Sequence, residues 1–231
     1  QKIEVLQKEI DALKQATIVY DVKQSSSYGS ALAALREAYS NGKAGLQPLF
    51  VQEDGSSIVR PLSFEETIDA IVNAYESGNR VLLDNWNDTC TGIAYKANTT
   101  KFKVVPVSKE LILLGDKFKS PYVSVDYAAQ EGTELDRTKG KYNQSLTKSE
   151  VLKNQGWVQS VRDKSLLKAF RDIVFTELKR ETAMGFYIRE SVSEDLLRAL
   201  AVNDINYYSG AYDRDNLSDN ARFVRVSPKS V

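Results

Sequence analysis

Asp84 and Asp88 stand on either side of Trp86, just after the apolar run Val81-Leu82-Leu83. Two carboxylates at a strand end, with Thr89 and Cys90 beside them, suit Mg²⁺ binding or general acid–base work. They are the candidate catalytic pair. The same stretch is also rich in ordinary turn residues, Asn85, Asn87 and Asp88 among them. In Lys101-Phe102-Lys103 the strand period puts both ammonium groups on the face opposite the phenyl ring. Lys101 and Lys103 are therefore candidate phosphate contacts. Their plainer role is to keep a sheet edge from pairing with another chain. Tyr207, Tyr208 and Tyr212 lie in a polar, glycine-containing segment with Asn206, Arg214 and Asn216. Rings among hydrogen-bonding side chains suit a sugar or a protein surface, so these three are the candidate ligand-binding residues.

Asp213-x-Asp215-x-Leu217-x-Asp219 has the alternating oxygens that open a Ca²⁺ loop. Leu217 occupies a ligand position, the turn glycine is missing and Val224 stands where the closing glutamate belongs. A surface turn is expected, with no metal site and no cofactor. The chain has no histidine and one cysteine, Cys90. That removes Ser-His-Asp and Cys-His nucleophiles, zincins, thiolate zinc sites and intrachain disulfides. Cys90 reads as an inert buried thiol. Lysine plus arginine number 31, as do aspartate plus glutamate, which argues against a dedicated nucleic-acid binder. The charge is nevertheless uneven. Residues 52–84 hold seven acids and two arginines, and residues 96–119 hold six lysines and two acids.

The elements that must position these residues can be read from periodicity. Ile3, Leu6, Ile10 and Leu13 form a heptad seam over residues 1–15, which predicts an oligomerising stalk or a helix packed on its own domain. Residues 18–22 predict a strand and 28–40 a helix buried through Tyr28, Leu32, Leu35 and Tyr39. Glu53-Asp54-Gly55 predicts a hairpin turn between 49–51 and 58–59. Ser63 and Glu66 form a capping box ahead of a helix whose Phe64, Ile68, Ile71, Val72 and Tyr75 share a face. Residues 80–107 predict a meander of strands at 81–83, 91–95 and 101–105, with Ile93 and Tyr95 facing Val104 and Phe102. Ser108 caps a short helix to 114, and 122–125 predicts a strand. Residues 128–145 read as a long exposed loop. Beyond it, Thr147–Glu150 is a second capping box and Asp163 caps a helix with Leu166, Leu167, Phe170, Ile173, Val174 and Leu178 inside. A strand is predicted at 185–188, a helix opening at Ser193 with Leu196, Leu197 and Leu200 inside, and an edge strand at 223–226.

The result is an α+β protein with a mixed, mainly antiparallel sheet, packed amphipathic helices and an N-terminal heptad helix. Its divisions are residues 1–15, a mixed first half over 16–127, the 128–145 loop and a helix-rich 146–231, with both halves in one globular unit. No window reaches the ~18 apolar residues of a membrane span. The lack of an apolar leader favours the cytoplasm, although a removed signal peptide would leave the same sequence. The leading functional expectation is a non-catalytic binding or assembly protein with a protein partner or self-association through residues 1–15. The alternatives are a Mg²⁺-dependent enzyme on a phosphorylated substrate, built on Asp84, Asp88, Lys101 and Lys103, and a carbohydrate-binding module built on the tyrosines.

Overall fold

The computed structural model describes residues 18–43, 45–113 and 122–228. The Ile3–Leu13 seam lies outside them. Strand β1 (Ile18–Ser25) leads into helix α1 (Tyr28–Ser40). Ser27 and Ser30 cap α1 reciprocally: each hydroxyl accepts the other's backbone N–H, at 3.2 and 2.9 Å. Gly42, at φ 66°, lets the chain turn away after Asn41. The hairpin β2 (Leu49–Val51) and β3 (Ser57–Val59) turns through Gly55 at φ 81°. Helix α2 (Phe64–Glu76) opens with the Ser63–Glu66 box, and Arg60 clamps the same Glu66 carboxylate at 2.6 and 2.7 Å.

Strand β4 (Asn87–Tyr95) runs through the middle of the sheet and is buried at every residue. Strand β11 (Leu196–Val202) pairs with one edge, antiparallel. On the other edge β5 (Lys101–Val105) forms a hairpin with residues 92–95, and β13 (Ala221–Pro228) meets Asp88 in parallel through Phe223. Ile93 faces Val104 and Tyr95 faces Phe102, as alternation predicts. β1 lies outside β13, and β12 (Ala211–Asp213) and β10 (Phe186–Tyr187) extend the sheet beyond β11. Short strands β6 (Val123–Ser124) and β7 (Glu134–Asp136) complete nine strands among the described residues, and β8 (Leu146–Thr147) pairs separately with β9 (Thr182–Ala183). Helix α3 (Lys109–Leu113) follows its Ser108 cap. Helices α4 (Lys148–Val151), α5 (Gln155–Ser160) and α6 (Lys164–Leu178) follow the second capping box and Asp163.

Both faces of the sheet are covered. One cluster joins Phe64, Ile68 and Ile71 of α2 to Trp157 of α5, Phe170 of α6 and the sheet residues Ile93, Tyr95 and Leu200. The other joins Tyr28, Leu32 and Leu35 of α1 to Leu111, Leu197 and Phe223. The result is the mixed, largely antiparallel α+β fold expected from the sequence.

Four local expectations are corrected. The segment from Ser193 is not a helix, since Leu196–Val202 is the interior strand β11. Buried on both sides, it shows no alternation, and its leucines and alanines mimic a helical run. Asp195 accepts the backbone N–H of Ala97 and of Tyr127. The C-terminal strand is not an edge, because β13 lies between β1 and β4. Residues 81–83 are a turn rather than a strand. Asn79 and Asn85 bind the two sides of the Val81 peptide, and Asn87 binds the Leu82 carbonyl. The 128–145 stretch is not all loop: β7 pairs with β5, and a 3₁₀ turn over Arg137–Lys139 follows it.

Candidate functional site

Parallel pairing of β10 with β12 sets Tyr187 beside Tyr212. Their rings stack at 4.3 Å with 15° between planes, and Trp86 lies 5.9 Å from Tyr212. Gly185 and Gly210 make this possible. A Cβ on Gly185 would fall 2.4 Å from the Tyr187 ring, and one on Gly210 would fall 2.8 Å from the Tyr212 ring. Burial is the main cause that raises the Tyr212 phenol far above its usual value.

From β10 the chain crosses to β11 through Arg189, Glu190, Ser191 and Ser193. The Arg189 amide donates to the Tyr95 hydroxyl at 3.1 Å, and the Asn98 amide donates to the Val192 carbonyl at 2.9 Å. This crossing and the β12–β13 loop border two adjoining cavities of about 520 and 600 Å³, which share Arg189, Ser191 and Asp215 as walls. Asn143, Tyr187, Tyr212 and Asp213 line the first, and Asn98, Tyr122, Glu194 and Arg198 the second.

Charge in this cleft is arranged in two tiers. Arg198 is buried in β11, its Nε donating to the Arg214 carbonyl at 2.9 Å and lying 3.3 Å from Asp213. Asp213 also accepts the Tyr95 hydroxyl at 2.7 Å. Burial outweighs these partners, so the Asp213 carboxyl is raised to about 6 and the Arg198 guanidinium is lowered. Above this pair lies Asp215, 80% exposed, whose Oδ1 accepts from Arg189 at 2.7 Å and from Arg198 at 3.3 Å.

The loop bearing Asp215 is held from beneath. Arg214 donates one Nη to both oxygens of the fully buried Asp88 at 2.5 and 2.7 Å, and its other donors bind the carbonyls of Asn216, Asp219 and Asn220. Asp88 also takes the Arg222 amide at 2.9 Å. Even so, burial leaves its carboxyl raised.

The structure separates the residues singled out as a catalytic pair. Asp84 is exposed and pairs with Arg80 at 3.3 Å, whereas Asp88 is enclosed with Arg214. Lys101 pairs with Glu134 and Asp136 on β7, which covers the edge that the lysines were expected to guard. Lys103 donates to the carbonyls of Tyr127 and Gln130 and lies 4.8 Å from the centre of the Tyr127 ring. Of the three tyrosines, only Tyr212 lines the cleft. Tyr207 is exposed, and Tyr208 holds Arg180 through its hydroxyl and ring face. Asp213, Asp215 and Asp219 each have protein partners, the last accepting from Asn216. Cys90 is buried and its thiol is pushed up to about 12 by burial, which keeps it protonated and unreactive. Arg189 and Arg198 were not singled out from the sequence. The available signal was a lone arginine inside the apolar run Leu196–Val202, because buried arginines are rare unless paired.

The mixed sheet with helices packed on both of its faces has the C-type lectin fold. That fold is found in a solved protein from Nanoarchaeota, described as accommodating massive sequence variation by the C-type lectin fold. The two share 16% identity over 90% of this chain and 97% of that one, with a TM-score of 0.62. No family model matches the sequence, and no curated protein does.

Proposed function

We propose that this chain is a non-catalytic binding module that takes a hydroxyl-rich ligand of carbohydrate class into the cleft beside β10 and β12. The observation that carries the reading is the stacked Tyr187–Tyr212 pair at the edge of a cavity lined by Asn143, Arg189, Asp213 and Asp215. A sugar ring presents an apolar C–H face and a rim of paired hydroxyls. Aromatic faces suit the first, and planar amide, carboxylate and guanidinium groups suit the second. Gly185 and Gly210 leave room for the two rings to stack on each other, and a preformed aromatic face lowers the ordering cost of binding. The C-type lectin fold agrees with a binding role. Asp84 pairs with Arg80 and Asp88 with Arg214, which speaks against the two as a shared Mg²⁺ pair and favours the binding reading.

The test is a titration of the ¹⁵N-labelled protein with a panel of neutral and acidic oligosaccharides. Amide shifts should appear first at Asn143, at residues 187–193 and at 212–215, and Tyr212→Ala should weaken them about tenfold. A panel that leaves these amides unmoved sinks the reading.

A further inference from the structure

We propose that Arg189 and Arg198 form an oxyanion subsite within this cleft, occupied in the free protein by the side chain of Asp215. The ligand it takes is a sugar bearing one acidic substituent, a carboxylate or a sulfate, and the inference rests on the cleft being the binding site. Arg198 is a buried cation that lines the cavity. Its buried ion partner is Asp213, which is tied to Tyr95. Arg189 has a different arrangement. Its side chain is 44% exposed, and its ion partner is Asp215.

Asp215 grips both arginines through Oδ1 alone. A carboxylate that engages guanidinium groups with both oxygens forms shorter, stronger and more specific contacts. The two arginines also have donors to spare. Of five N–H groups on each, the described hydrogen bonds use one on Arg189 and two on Arg198. An incoming carboxylate or sulfate can thus take the place of the Asp215 oxygen and reach unused donors as well. The backbone need not move for this exchange. Arg214, next in the chain, stays fixed by Asp88 and three carbonyls while the exposed Asp215 side chain swings into solvent. Glu190 and Glu194 also stand in the cavity walls, so a ligand with several negative groups is repelled and one with a single such group is favoured.

Three probes with one ring separate the ligand chemistries: D-glucose, D-glucuronate and D-glucose 6-sulfate, titrated by NMR at low salt. At least one acidic probe should bind about tenfold more tightly than glucose, and which one does so tells carboxylate from sulfate. Asp215→Asn removes the internal competitor and should widen the preference for the acidic probe over glucose about tenfold. Arg189→Gln, at an exposed position, should erase the preference for the acidic probes. Added salt should reduce that preference as well. Equal binding of all three probes at the cleft overturns the subsite and leaves the binding-module reading standing. Failure of every probe to bind either the native chain or Asp215→Asn also overturns the subsite, and the oligosaccharide panel then judges the cleft separately.

Discussion

Asp213 lies between the Tyr95 hydroxyl and Arg198, and both charges of that pair are pushed toward neutrality by burial. The arrangement holds position more than it adds stability, because a buried pair recovers in attraction about what it lost in hydration. It has a definite signature in pH. A carboxyl raised from the usual 3.8 to about 6 favours the folded state while protonated, so its contribution is full below about pH 4 and is lost as pH rises through 6. The unfolding free energy of the native chain relative to Asp213→Asn should therefore fall by on the order of 2–3 kcal/mol between pH 4 and pH 7.5. Urea unfolding at the two pH values reads this directly. A relative stability that rises over the same range would show that Arg198 dominates Asp213 and that the sign is reversed.

At the scale of elements, α2 is the clearest case of sequence turning into packing. Its capping box fixes the start, Gly78 at φ 83° releases the end, and Phe64, Ile68 and Ile71 are buried against the sheet and α6. Ile71→Ala should cost about 2–5 kcal/mol by urea unfolding, the transfer cost of the lost methyl groups plus the cavity left behind. A loss under ~1 kcal/mol would place the stripe outside the core. Strand β11 shows the opposite case. Its composition favours helix, yet β4 on one side and β12 on the other satisfy its backbone, and side chains from both core clusters cover its faces. Pairing and burial outweigh a propensity difference of a few tenths of a kcal/mol per residue.

Across the whole molecule, β1 and β13 pair over eight residues, so Ile18 lies beside Pro228. A stalk preceding Ile18 would leave the fold at that pair of strand ends. Self-association through residues 1–15 remains our proposal from the Ile3-Leu6-Ile10-Leu13 seam. Light scattering should give a mass that is a multiple of the chain for residues 1–231 and a single-chain mass for a protein starting at residue 16. Equal monomeric masses would rule out the seam as an assembly device.

The sequence by itself determined the elements whose signals are local. The capping serines and threonine, the Gly55 turn, the helical stripes of α1, α2 and α6 and the pairing of Ile93 and Tyr95 with β5 all depend on residues close together in the chain. It also determined what chemistry is absent, since a chain without histidine has no imidazole to use. Tertiary structure decided the rest. Strands covered on both faces lose alternation, so β11 and the interior place of β13 could not be read from period. The cleft depends on contacts across long separations: Tyr95 with Asp213, Asp88 with Arg214, and Tyr187 with Tyr212. No local pattern specifies which carboxylate meets which arginine, because that choice is made by strand order. Strand order placed Asp88 beside Arg214 instead of Asp84, and it left Asp215 facing Arg189.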